Sequence, residues 1–343
     1  MKMSYFFIRL TIKSLNIKNM TRPFSVLVIY FACHVLLHAQ ELPLILDKPG
    51  TFEILSRTDY VSSECGFTKS EINANLLKIK DVVNSVRKNP VLNDIKGFDG
   101  RARIYNVSCD EDGQYGVPSR ISFEFAAWYR NKDGTESRGI IEPPEWTLII
   151  NELKATANRW VFSADDIAGD HRYFIIPLKK ETIEKGIDVY AGECYVIYNP
   201  DRPPYWIPVT VKEVFIGMIE SFKKNRDTTG NKYMIDLLTK EYHAIPESEM
   251  NKPAYFGGSE TIAGISSIAN SPPIVRVNPA YWDRNLPKSA IQFFFFRSIP
   301  NKEYHRKRME EYLSNNSISY HESRFEASFG MENIRDLATL IGK

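Results

Sequence analysis

Four consecutive phenylalanines, Phe293 to Phe296, constrain the fold of this chain more than any other stretch. Successive side chains along a strand point to opposite faces, so the four rings cannot share one side of a sheet. The run predicts a strand covered on both faces. A covered strand needs neighbours, and the rest of the sequence offers them.

Thr68 and Glu71 form a capping box, after which Ile72, Leu76, Ile79, Val83 and Val86 recur at helical spacing until Asn89-Pro90. Strands are expected at 101–107, 119–130, 146–151, 172–178 and 187–198, and Asn131-Lys132-Asp133-Gly134 predicts a hairpin turn. A second capped helix starts at Thr210, with Glu213 three residues on, and buries Val211, Val214, Phe215, Met218 and Phe222. The polar segment 225–231 is the candidate boundary between an N-terminal region, 40–226, and a C-terminal region, 227–343, which together could also form one domain. Beyond it the pattern predicts a helix at 233–242, a Gly/Ser/Ala loop at 257–271, strands at 273–277 and 290–297, and helices at 303–313 and 331–341. Many strands without regular alternation with helices predict the α+β class: largely antiparallel sheets with a few amphipathic helices packed on one face.

Residues 21–40, TRPFSVLVIYFACHVLLHAQ, have the build of a secretory signal peptide. Arg22 supplies the charge, Phe24 to Leu37 is an apolar run shorter than the ~20 residues of a spanning helix, and Leu37-His38-Ala39 offers a small-residue cleavage site. Residues 1–39 are therefore expected to be removed, with translation starting at Met1 or Met20, leaving a secreted or periplasmic protein that begins near Gln40. No transmembrane segment is expected after cleavage. Residues 40–343 hold 39 basic and 42 acidic residues, a net charge of −3. That balance gives no electrostatic case for nucleic acid as a partner. At 43% apolar and 13% aromatic composition the chain can bury a large core. Three cysteines follow the signal: Cys65 and Cys109 are the preferred disulfide pair, and Cys194, in a strand-like run, is expected to be a buried thiol.

Chemistry-bearing motifs are sparse. His171, His243, His305 and His321 lack helical zinc spacing, Asp110-Glu111-Asp112-Gly113 lacks the pattern of a calcium loop, and Gly258-Ser259-Glu260 lacks the second glycine of a nucleophile elbow. No glycine-rich phosphate motif occurs, so neither a metal nor a cofactor is expected. Asp165, Asp166 and His171 are the candidate acid and base groups. The segments 199–208 and 278–287 echo one another, each with an Asn-Pro exit, a Tyr-Trp pair, an Asp-Arg pair and a closing proline. Tyr205, Trp206, Tyr281 and Trp282, oriented by Arg202 and Arg284, could form a stacking platform for a glycan or peptide; alternatively the aromatics serve packing.

Two functions follow. The first is an exported, non-enzymatic binding protein that engages an extracytoplasmic ligand or protein through the Tyr-Trp loops. The second is an exported hydrolase whose acid and base groups are assembled only by the fold.

Overall fold

The phenylalanine run lies at the centre of a nine-stranded sheet, with two faces of different composition packed against it. The computed structural model describes residues 43–57, 66–106, 115–139, 143–153, 173–191, 193–224, 228–257, 263–299 and 301–343. Residues 43–343 belong to one compact unit.

In chain order the strands are β1 (Phe52–Arg57), β2 (Phe98–Asn106), β3 (Ser119–Arg130), β4 (Glu136–Arg138), β5 (Glu145–Ile150), β6 (Phe174–Ile175) and β7 (Lys179–Glu184). They continue with β8 (Ile187–Tyr190), β9 (Cys194–Tyr198), β10 (Trp206–Pro208), β11 (Tyr255–Phe256), β12 (Ile265–Ser266), β13 (Ile274–Val277) and β14 (Phe293–Arg297). The helices are α1 (Lys69–Val86), α2 (Pro90–Asn93), α3 (Val211–Lys224), α4 (Thr228–Ala244), α5 (Glu247–Met250), α6 (Lys302–Ser314), α7 (Tyr320–Ser328) and α8 (Met331–Ala338).

The large sheet runs β1-β2-β3-β5-β14-β9-β8-β7, with β4 added to β3. Its pairings are antiparallel except for β1 with β2, which is parallel. A three-stranded sheet, β10-β13-β6, lies apart from it in sequence pairing but shares a core with it. The α+β class with largely antiparallel sheets is therefore the observed architecture.

Period-two alternation sorts the β14 rings as expected. Phe294 and Phe296 join the core formed with Val82, Val83 and Val86 of α1, Phe325 of α7 and Leu337 of α8. Phe293 and Phe295 face the opposite way, onto Phe174, Trp206 and Val275 of the small sheet. All four are at most 3% exposed. Each such burial contributes on the order of 1.5–3 kcal/mol before chain entropy is counted. The other face of the small sheet packs Ile175 and Ile274 on Val214 and Phe215 of α3 and Leu238 of α4. Helices thus cover one face of each sheet.

Local chemistry explains the element ends. The Thr68 hydroxyl accepts from Glu71 N at 3.2 Å while the Glu71 carboxylate accepts from Thr68 N at 2.7 Å, closing the expected box. Thr210 and Glu213 repeat it at 3.2 and 2.8 Å. Gly97 has φ +84, and a Cβ there would lie 2.7 Å from His321 Cε1 and 2.8 Å from Ile45 O, so only glycine fits this close approach.

Several elements differ from the sequence reading: β1 and β7 are unexpected, β12 lies in the segment read as a loop, and the strand expected at 172–178 is the short β6. The expected strand over 187–198 is a hairpin, β8 and β9, because the chain reverses before Cys194 with Glu193 in the left-handed region at φ 59. α4 is longer than its periodic core, beginning at Thr228 and including Asn231. α7 carries no clear apolar stripe and was not anticipated, since it buries His321 and Ser323 alongside Phe325. Cys194 is a buried thiol on β9, its Sγ–H donating to Ala191 O at 3.4 Å. Cys65 and Cys109 lie outside the described residues.

Candidate active site

Asp165, Asp166 and His171 lie outside the described residues. The two proline loops do meet in space. Asn278 N donates to Tyr205 O at 2.9 Å, Asn278 Nδ2 donates to Pro204 O at 2.6 Å, and the Arg202 guanidinium donates to the carbonyls of Ala280, Tyr281 and Trp282 at 3.1, 2.8 and 2.9 Å. Their rings are buried: Tyr205 is 5% exposed, Trp206 9%, and Tyr281 and Trp282 1% each. Tyr205 also donates to the buried carboxylate of Asp188 at 2.7 Å. Arg284 lies over Tyr115, 5.1 Å from its centroid, and Tyr115 stacks in turn on Trp282 at 5.8 Å. This is the geometry of packing aromatics; a stacking platform requires open ring faces, which these four do not present.

A different set of groups converges at one end of the large sheet. A cavity of about 490 Å³ opens where β5 begins and β14 ends, closed on the far side by α6 and α7. This volume is in the range of small-molecule sites. From the strands come Glu145, Thr147 and Ile149 of β5 and Phe295 and Arg297 of β14; odd-numbered positions here share the face opposite the helical core. Trp146, whose ring is in that core, donates its Nε1–H to Arg297 O at 2.8 Å and pins the two strand ends together.

The helices supply the titratable groups. On α7, residues four apart share a face, so His321 and Phe325 point into the core while Glu322 and Glu326 line the cavity beside Ser323. On α6, the Asn301 side chain caps the helix by accepting from Tyr304 N at 3.0 Å, which places His305 in the first turn. Its Nε2–H donates to Ile299 O at 2.7 Å, leaving Nδ1 to accept from the Ser323 hydroxyl at 3.2 Å. Glu326 Oε2 stands 3.9 Å from the same Nδ1. One turn further, Arg308 stacks on Tyr312 at 4.5 Å and hydrogen-bonds its hydroxyl.

Burial sets the protonation of this site. It raises the Glu322 carboxyl to about 7, reinforced by the charges of Glu326 and Glu145. It raises Glu326 to about 7 as well, but there Arg297 opposes the shift. Burial also holds the His305 ring below its ordinary value, with the bond to Ile299 opposing, so the imidazole is neutral at physiological pH. Tyr312 is raised by burial against the pull of Arg308. A cleft that combines perturbed carboxyls, a neutral histidine and two guanidiniums can donate and accept protons near neutral pH.

Sequence reasoning missed these residues because they are contributed by β5, β14, α6 and α7, separated by up to 181 positions between Glu145 and Glu326. The one local signal was the i, i+4 glutamate pair, which a solvated helix face would show equally. Among the described residues no three His, Cys, Asp or Glu side chains are grouped as metal ligands, and no helix is long and apolar enough to cross a membrane. No protein-family model, no curated protein and no solved structure matches this chain.

Proposed function

We propose that the protein is an exported hydrolase whose acid–base site is the cavity between the β5 and β14 ends and the α6–α7 hairpin. The observation that carries this reading is the pair Glu322 and Glu326, one helical turn apart in one cavity, both with carboxyls raised to about 7. Hydrolysis with two carboxyls needs one to give a proton to the leaving group and another to take one from water. Their surroundings divide the roles. Arg297 favours ionisation of Glu326, whereas Glu145 and Glu326 both disfavour ionisation of Glu322. Glu322 is thus the general acid and Glu326 the general base.

The Ser323 hydroxyl, 3.2 Å from His305 Nδ1, supports a second reading in which Ser323 is an acyl-accepting nucleophile and His305 its base. Assays of chromogenic glycosides, esters and phosphates across pH 5–9 separate the two. The carboxyl reading expects a rate optimum near pH 7 and a loss of about 10²–10⁴-fold in Glu322→Gln and Glu326→Gln. Both variants should fold at least as well as the wild type above pH 7, since each removes a buried carboxyl that resists ionisation. Labelling of Ser323 by a fluorophosphonate would favour the serine reading. Full activity in both glutamine variants would eliminate the carboxyl one.

A further inference from the structure

The cavity does not end at its rim. An open shelf adjoins it, sharing Ile299 and Tyr304 with the cavity and lined also by Glu193, Asn301, Lys302 and Glu303. Tyr304 and Ile299 line both spaces, and Tyr304 is 41% exposed, so its side chain stands at the border between them. The Asn301 cap fixes that residue in the first turn of α6.

We infer that the ligand is a neutral oligosaccharide of several units, lodged at one end in the cavity and laid over the Tyr304 ring onto the shelf. This rests on the reading of the cavity as a hydrolytic site and names its substrate class.

Four observations favour a glycan. The cavity walls are dominated by paired acceptors and donors suited to hydroxyl groups: carboxyls of Glu145, Glu322 and Glu326, guanidiniums of Arg297 and Arg308, and the Tyr312 hydroxyl. An exposed aromatic at a ligand's path supplies the apolar face that sugar rings stack on. An extended peptide, by contrast, is captured by a free strand edge, and among the described residues none faces the cavity. β5 is paired on both sides, by β3 and β14, and β14 is paired on both sides, by β5 and β9. With Glu322 protonated as the acid, the carboxylates of Glu145 and Glu326 above pH 7 balance the guanidiniums of Arg297 and Arg308, which leaves no positive excess for a phosphate or polyanion.

The test is binding, read apart from turnover. Neutral pentasaccharides of β-1,4-glucose, β-1,4-xylose, α-1,4-glucose and β-1,4-N-acetylglucosamine, with their monosaccharides, are titrated calorimetrically into the Glu322→Gln protein and into the same protein carrying Tyr304→Ala. At least one pentasaccharide should bind about tenfold or more tighter than its monosaccharide, and Tyr304→Ala should remove about that factor, weakening the pentasaccharide more than the monosaccharide, while leaving the melting midpoint unchanged. The inference is overturned if no pentasaccharide binds, if chain length makes no difference, or if Tyr304→Ala has no effect. Binding of penta-alanine with the same dependence on Tyr304, in place of the sugars, overturns it equally. Pentasaccharide binding without cleavage by the wild type keeps the ligand class and removes the hydrolase.

Discussion

His321 shows how one side chain can couple the fold to pH. It is fully buried against Phe98, with ring centroids 4.8 Å apart, under Gly97. Burial, aided by the nearby Arg324 charge, holds its pKa down to about 3 against an ordinary 6.5, with the Gly97 backbone opposing weakly. Between those values the unfolded chain binds more protons than the folded one. The contribution of His321 to stability is therefore complete above pH 6.5 and is lost as pH falls toward 3, by about 2 kcal/mol at pH 5. Glu322 and Glu326 act with the opposite sign: raised to about 7 from 4.5, they favour the fold below pH 4.5 and lose that contribution as pH rises through 7. Wild-type stability thus combines both. Urea unfolding at pH 7 and pH 5 should show a change in stability on acidification that is about 2 kcal/mol more favourable for His321→Leu than for wild type. An unchanged pH dependence in that variant would contradict the role given to His321.

At the scale of elements, the echoing proline loops act as mutual braces. Each loop supplies groups that satisfy the other's backbone, and Tyr281 donates to Gln292 O while accepting from Asn199 N at 3.3 Å. Trp282, 1% exposed, is held between Tyr281 and Tyr115. Removing its ring leaves a cavity that the surrounding strands cannot close. Trp282→Ala should lower stability by about 3–5 kcal/mol, with Trp206→Ala in the same direction. A thermal melt measures this. A variant that keeps its midpoint yet loses affinity for a ligand would return the loops to a binding role.

For the whole molecule, the placement of β14 dominates. A strand near residue 295 fills the gap between β5 and β9, so both faces of the large sheet are completed by the C-terminal part of the chain, and α6 and α7 then bring Glu322 and Glu326 over the strand ends. The proposed export rests on the sequence ahead of this unit. The charge of Arg22, the apolar run to Leu37 and the small residue Ala39 lead us to expect that protein recovered from the extracytoplasmic fraction begins at Gln40 or within two residues of it. N-terminal sequencing that finds residues 1–38 intact would exclude this.

The sequence by itself determined what local physics controls. The capping boxes at Thr68 and Thr210, the alternation along 119–130, the Asn131–Gly134 turn and the two-sided burial of Phe293 to Phe296 each follow from patterns within one or two turns of chain, and each is present in the structure. From them came the α+β class. Only the tertiary structure decided where polar groups gather, because Glu145, Arg297, His305, Glu322 and Glu326 become neighbours through strand order and helix packing that no local spacing encodes. The same holds for the tyrosine and tryptophan pairs. A Tyr-Trp dipeptide reads alike whether its rings face solvent or core, and the choice was made by the second sheet that covers β14.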